Sequence, residues 1–375
     1  MNGTDNCTSQ TRRVLSGLDR LLADVETVGR LADLQIGFLT NHACNTADEV
    51  PASAALARRL EHVGKGEVRL FTPEHGIGLS AMAGEGVDHG VDPLTGLPVF
   101  SLYTGNGTVD GQVFDGLNAL VIDLRDVGVR CYTYAATAAQ AACAALERHI
   151  EVIVCDRANP LGPAAEGPRP DPDKRSFLAF FDVPFIHGQS LGELVARAVS
   201  SVITEAPFSV YPADMSLQQP LGWIPPSPAL SHPDAVAAYG GLVLLEATNI
   251  SEGRGSSLSF RCITAPGLDA DALAAAINGW TIGFRAGSGD IISTHGDHAG
   301  RPLPGVVIWP RRDPRREPLA LGVHLLAWLI EHHDDFAWRA NGGSSVALDT
   351  LFGRSDLREM LDGGASADEI LRSWR

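Results

Sequence analysis

Cysteine is scarce in this chain: six residues in 375 (Cys7, Cys44, Cys131, Cys143, Cys155, Cys262), scattered and without a CxxC pair. That scatter argues against a disulfide framework or a cysteine-based zinc site and predicts buried free thiols. Positive charge is also short, with 29 Lys+Arg against 45 Asp+Glu and a formal net charge of −16. Such a surface repels phosphate backbones, so a nucleic-acid partner is not expected. The closest approach to a basic patch, Arg311, Arg312, Arg315 and Arg316, is punctuated by Pro310 and Pro314 and reads as a solvated turn. Long apolar runs are missing as well. Leu325–Ile330 is far too short to span a bilayer, so no membrane partner is expected. The first ten residues are polar and show no secretory pattern, which makes a reducing cytoplasm the expected compartment.

Several catalytic signatures are absent too. No GxGxxG follows the first apolar run and no GxxxxGK[ST] occurs, so neither dinucleotide nor P-loop binding is indicated. A GxSxG elbow and an HExxH pair are both missing. His295 and His298 sit in a Gly/Asp-rich loop, and His332-His333 ends a helical stretch, where histidines often cap. Neither group suggests a metal.

What is present is an alternation of short apolar runs and helical stretches. Leu34–Leu39, Val68–Phe71, Val99–Leu102, Ala119–Ile122 and Val152–Cys155 read as buried strands. The spacing predicts helices over Val14–Leu31, Ala52–His62, Thr133–His149 and Gly192–Thr204, the last led by a Ser190…Glu193 capping box. Alternation of this kind predicts an α/β fold with a mostly parallel sheet covered on both faces. At 375 residues two domains are expected. The proline-dense Trp223–Pro228 stretch divides residues 14–228 from a smaller α+β unit, residues 229–375. In that unit Leu242–Leu245 reads as another buried strand. Helices are expected over Asp269–Ile277, Pro318–His332 and Ala367–Trp374, the last with a Ser366…Glu369 capping box.

Four of the strands run directly into polar groups: Asn41-His42, Glu74-His75, Asp123…Asp126 and Asp156-Arg157 with Asn159. Open α/β sheets bind ligands beyond the carboxyl ends of their strands, so one polar edge is predicted. A second polar cluster, Glu246 to Gly255, carries Glu246, Asn249, Glu252 and Arg254. Each acid could be a solvated loop carboxylate, and each arginine could simply pair with a nearby acid. Read as a site, Glu74 between Pro73 and His75 is the first candidate for a general acid. Glu246 and Glu252 are candidates for the second carboxylate that glycoside hydrolysis needs. Arg130, Arg157 and Arg254 could grip a substrate carboxylate.

As a set, the motifs resemble a known family. They are Pro73-Glu-His-Gly76, Thr95-Gly-Leu-Pro-Val99, Asp126-Val-Gly-Val-Arg130 with Tyr132-Thr-Tyr134, Asp156-Arg157 with Asn159-Pro160, Pro225-Pro-Ser-Pro228, and Asn249 with Ser251-Glu-Gly-Arg-Gly255. In that order, over roughly residues 30 to 350, they are similar to the NamZ-type exo-β-N-acetylmuramidases. The resemblance implies a Rossmann-like N-terminal domain, a smaller C-terminal domain and a cleft between them. It also implies release of N-acetylmuramic acid (MurNAc) from the non-reducing end of peptidoglycan fragments, without metal or organic cofactor. Glu74 would be the catalytic acid, and Asn41, His75, Asp126, Arg157, Glu246, Asn249, Glu252 and Arg254 would line the cleft. A carboxylate nucleophile, an activated water and the substrate's own acetamido oxygen all stay open as the second partner. The chain departs from the family pattern at Ile77-Gly-Leu-Ser80, where Phe-Arg-Gly is usual. Arg125 replaces Gln, and Ala158 and Ala229 replace Pro and Asn. A hydrolase for another amino sugar or small glycoside, or a sugar-binding relative without catalysis, are the alternatives these changes raise.

Overall fold

The computed structural model describes residues 14–103, 107–202, 204–214, 223–294, 298–312, 316–340 and 347–375. Cys7, His295, Arg315 and Pro314 lie outside these residues.

Seven strands form the main sheet: β1 (Gln35–Leu39), β2 (Glu67–Thr72), β3 (Gly90–Val91), β4 (Pro98–Ser101), β5 (Ala119–Ile122), β6 (Glu151–Cys155) and β7 (Phe208–Tyr211). Their order is β3-β4-β2-β1-β5-β6-β7, all parallel except the short antiparallel edge strand β3. Strict two-residue alternation divides the side chains between two cores. Ile36, Phe38, Val68, Leu70, Ala119, Val121, Ile153 and Cys155 face one layer of helices: α1 (Gly17–Ala23), α2 (Val25–Leu31) and α3 (Ala52–Glu61). Leu39, Phe71, Leu120, Ile122, Val152 and Val154 face the other, with α4 (Thr133–Leu146) and α5 (Leu191–Val199). The expected α/β class with both sheet faces covered is what the chain adopts.

Two expectations about elements need adjusting. The helix expected over Val14–Leu31 is two helices, because Asp24 turns to an extended conformation, ends α1 and caps α2 through the Thr27 N–H. The strand expected at Leu242–Leu245 is helical. Helix α6 (Pro233–Leu242) passes directly into a 3₁₀ turn over Val243–Ala247. A short, fully buried apolar run has the same signature in either structure. The deciding signal lay upstream, in His232 as N-cap and Pro233 at the first helical position. The proline-dense stretch, read as dividing the two units, is also tied to the first of them, since the Tyr134 hydroxyl donates to the Pro226 carbonyl at 2.6 Å.

The smaller domain holds an antiparallel sheet, β8-β10-β9, built from β8 (Cys262–Thr264), β9 (Phe284–Ile292) and β10 (Pro302–Pro310). Around it lie α6, α7 (Ala270–Gly279), α8 (Pro318–His332), α9 (Ala347–Phe352), α10 (Asp356–Asp362) and α11 (Ala367–Ser373). Both expected capping boxes form, at Ser190/Glu193 and Ser366/Glu369. Helices α6 and α8 meet backbone to backbone at Gly241 and Gly322. A Cβ on Gly241 would fall 2.3 Å from the Pro318 carbonyl oxygen, and one on Gly322 2.6 Å from that of Gly241. This crossing fixes the end of α6, from which Glu246 projects one turn later.

Candidate active site

The four polar loops follow β2, β1, β5 and β6, which are consecutive neighbours in the sheet. They therefore form one edge, as the chain's punctuation predicts, but their residues divide into separate duties.

Glu74 and His75 leave β2 in a tight turn. His75 takes a left-handed conformation (φ 74°), followed by Gly76 at 76°. For a non-glycine residue this costs roughly 1–3 kcal/mol. The His75 Nδ1–H donates to the Ala81 carbonyl at 2.7 Å and holds the turn. Burial pushes the His75 imidazole below its ordinary value, so the ring is neutral at pH 7. The turn directs Glu74 inward, where it is 6% exposed. The Gly84 N–H donates to its Oε1 at 2.8 Å and the Thr133 hydroxyl to its Oε2 at 2.6 Å. Both oxygens are thus fixed, one by a donor from a loop and one by a donor from the first residue of α4.

The smaller domain supplies the opposing cluster. Arg254 binds Glu246 through one terminal nitrogen and Glu252 through Nε at 3.2 Å. Its guanidinium carbon lies 5.1 Å from the centroid of the Phe260 ring. Two carboxyls on one guanidinium, with Glu74 in electrostatic reach of Glu246, leave an excess of negative charge. Burial above all, with repulsion from Glu252 and Glu74, outweighs the attraction of Arg254 and pushes Glu246 up to about 7. Arg254 itself is held above its ordinary value: burial works against it, but Glu246 and Glu252 prevail. The field of Glu74 reaches Glu246, and that of Arg254 reaches His75, so the two clusters face one another.

Aromatic rings connect the two halves. Tyr132 packs on Tyr134 with centroids 4.8 Å apart, then on Tyr239 of α6 at 6.1 Å, and Tyr239 packs on Phe260 at 4.8 Å. Several deep polar atoms along this wall have no protein partner among the described residues: Asn41 Nδ2, Asp126 Oδ1 and Tyr132 Oη. Buried polar atoms are nearly always hydrogen-bonded, so such a group is what a hydroxyl- or amide-bearing ligand would complete. Asp126 is oriented by the Gly128 N–H at 2.7 Å, and its Oδ2 lies 3.1 Å from His187 Nε2.

Not every residue singled out from the sequence joins this arrangement. Arg157 is locked in a buried bidentate pair with Asp123, at 2.5 and 2.8 Å, and also donates to the Asn45 carbonyl. Arg130 points its guanidinium at the backbone carbonyls of Pro168, Val183 and Phe352, where it staples loops together. Asn249 spends its amide on the 335–337 segment, donating to Asp335 and accepting from Ala337. Asp156 accepts from Ser190 and Gly192 and anchors the start of α5. In each case a local backbone or acid partner takes the polar group, so these four serve the frame of the cleft. Residues that motif reading did not single out as site residues are Arg125, Tyr132, Thr133, Trp223 and His187. Their signal was faint, since Tyr and Thr in a helix start resemble ordinary core and cap residues.

The comparisons bear on this two-domain cleft. A family described as "Exo-beta-N-acetylmuramidase NamZ, N-terminal" matches residues 36–234, and its C-terminal counterpart matches residues 237–375. The chain belongs to the NamZ exo-β-N-acetylmuramidase family. As a NamZ-family member it is a glycosidase of that type. It is 30% identical over 381 residues to the peptidoglycan β-N-acetylmuramidase NamZ of Bacillus subtilis (strain 168), covering 98% of this chain and 89% of that one. Two solved DUF1343-family proteins of Bacteroides fragilis NCTC 9343 share the fold. One has a TM-score of 0.76 at 22% identity, covering 97% of this chain and 98% of its own, and the other 0.70 at 24%, covering 96% and 94%. No described helix of this NamZ-family chain is long and apolar enough to cross a membrane.

Proposed function

We propose that this glycosidase releases N-acetylmuramic acid from the non-reducing end of peptidoglycan fragments, with Glu246 and Glu74 as its acid and opposing carboxylate. The observation that carries the reading is the Glu246–Arg254–Glu252 cluster of the smaller domain, with Glu74 of the sheet edge in electrostatic reach of Glu246. Burial pushes Glu246 up to about 7, so it retains part of its proton near neutral pH. It gives that proton to the glycosidic oxygen as the C1–O bond breaks. Glu74, held by Gly84 and Thr133, stabilises the positive charge that develops at the anomeric carbon, and water completes the hydrolysis. Sequence position and the family resemblance both favoured Glu74 as the acid. The raised Glu246 supports the exchange of roles. Asn41, His75, Asp126, Tyr132 and Arg254 line the substrate's path, and the unpartnered polar atoms of Asn41, Asp126 and Tyr132 suit sugar hydroxyl and acetamido groups.

The reading extends to cell-wall recycling inside a reducing cytoplasm. The five described cysteines are free thiols, four of them buried, which suits such a compartment. Activity on a chromogenic β-MurNAc glycoside tests the function. Glu74→Gln should lower kcat by about 10²–10⁴-fold with the fold intact by circular dichroism. A wild-type protein that releases no more chromophore than this variant would refute the reading.

A further inference from the structure

Three arginines stood out in the sequence as grips for an anionic substrate group, and the structure commits all three elsewhere. Arg157 is paired with Asp123, Arg130 with carbonyls, and Arg254 with Glu246 and Glu252. A fourth, Arg125, is different. It stands in the loop after β5, where the family pattern has Gln. Its Nε–H donates to the Ala43 carbonyl at 3.3 Å, and its guanidinium carbon lies 5.7 Å from the Trp223 ring centroid. Trp223 is itself fixed by donating to the Leu230 carbonyl at 3.1 Å. Among the described residues no carboxylate pairs with Arg125, and its two terminal nitrogens make no hydrogen bond. The side chain is therefore held by its stem and its plane while its fork has no partner among the described residues.

Position adds to this. Arg125 lies one residue from Asp126, whose Oδ1 is unpartnered, and its charge acts on Tyr132, as does that of Glu74. The edge is thus electrically polar. Glu246 and Glu252 share the Arg254 guanidinium, with Glu74 in reach of Glu246, at one end, whereas Arg125 stands beside the Arg157–Asp123 pair at the other. A sugar carrying an anionic substituent would be turned by this field, with the substituent driven from the acidic cluster toward Arg125. A stacked guanidinium fork matches a carboxylate in two parallel hydrogen bonds.

Resting on the function proposed above, we infer that Arg125 is the specificity residue that binds the substrate's lactyl carboxylate and separates N-acetylmuramides from N-acetylglucosaminides. The two sugars differ only by that group, so the test compares them. The ratio of kcat/KM for the 4-nitrophenyl β-glycosides of MurNAc and of N-acetylglucosamine should fall about 10- to 100-fold in Arg125→Gln, chiefly through KM for the former. Arg125→Lys, which keeps the charge but not the fork, should recover part of it. A second arm leaves the protein unaltered: calorimetric binding of free MurNAc to the wild type should weaken by a similar factor when its carboxyl is a methyl ester. An unchanged ratio, or an ester bound as tightly as the acid, overturns the inference. Failure of the wild type to hydrolyse either glycoside would instead sink the proposed function, and the acid-against-ester comparison, run on the wild type and on Arg125→Gln, would still decide the role of Arg125: the ester effect should vanish in the variant, and its persistence overturns the inference.

Discussion

Glu246→Gln removes the carboxyl on which the proposed chemistry depends, and its effect can be worked out from the structure. The ordinary value of a glutamate carboxyl is 4.5, and in the folded protein burial beside Glu252 and Glu74 carries Glu246 to about 7. Between those values the folded chain holds a proton that the unfolded chain has released. The folded pKa is the higher, so this group's stabilisation is complete below about pH 4.5, declines as pH rises, and is gone above about pH 7. Each pH unit over which the two states differ by one proton is worth about 1.4 kcal/mol. From about pH 5 to about pH 8, the wild type should therefore lose about 2–3 kcal/mol more unfolding free energy than Glu246→Gln, whose amide does not titrate. Urea denaturation of both proteins at the two pH values measures the difference. A ¹³C-carboxyl titration gives an independent reading, because the resonance missing from the variant should have its midpoint near 7. Catalysis should follow the same group: kcat/KM of the wild type should decline above about pH 7 as the acid loses its proton. Parallel pH dependences of stability, or a Glu246 midpoint near 4.5, would refute both the charge argument and the assignment of the acid.

Other perturbations test the frame. Arg157→Met should lower the unfolding free energy by about 3–5 kcal/mol in urea, because it strands the buried Asp123 carboxylate. A loss below about 1 kcal/mol would show that the pair is dispensable. Gly322→Ala places a methyl against the Gly241 carbonyl oxygen and should cost about 1–3 kcal/mol. It should also lower kcat by displacing the turn that bears Glu246, and an unchanged kcat in a destabilised variant would separate that turn from the crossing.

The sheet was legible because its strands are buried on both faces and bounded by turn residues, so Ile36 to Leu39 or Ala119 to Ile122 had few other readings. The edge was legible for the same reason: a strand that ends in Asp, Asn or Glu presents them beyond its carboxyl end. Less legible was which polar group would find a local partner. Arg157 and Arg254 look alike in sequence, yet one faces a single acid in a closed pair and the other holds two acids at the cleft. Those fates depend on contacts between residues far apart in the chain, such as Asp123 with Arg157. Arg125 was visible only as a departure from a motif, since nothing local distinguishes an arginine with a partner from one without. The run at Leu242–Leu245 misled because full burial erases the periodicity that separates strand from helix.

The glycine crossing of α6 and α8 has a consequence for how this enzyme can vary. The helix that leads to Glu246 is set by backbone resting on backbone, not by the fit of interchangeable side chains. Apolar residues around it can be exchanged for others of similar volume, and the core will adapt with small shifts. Gly241 and Gly322 have no such latitude, because any larger residue moves an entire helix, and Glu246, the proposed acid, with it. The position of Glu246 is thereby decoupled from drift in the surrounding core, and two residues with no side chain become the least replaceable part of the lever that carries it.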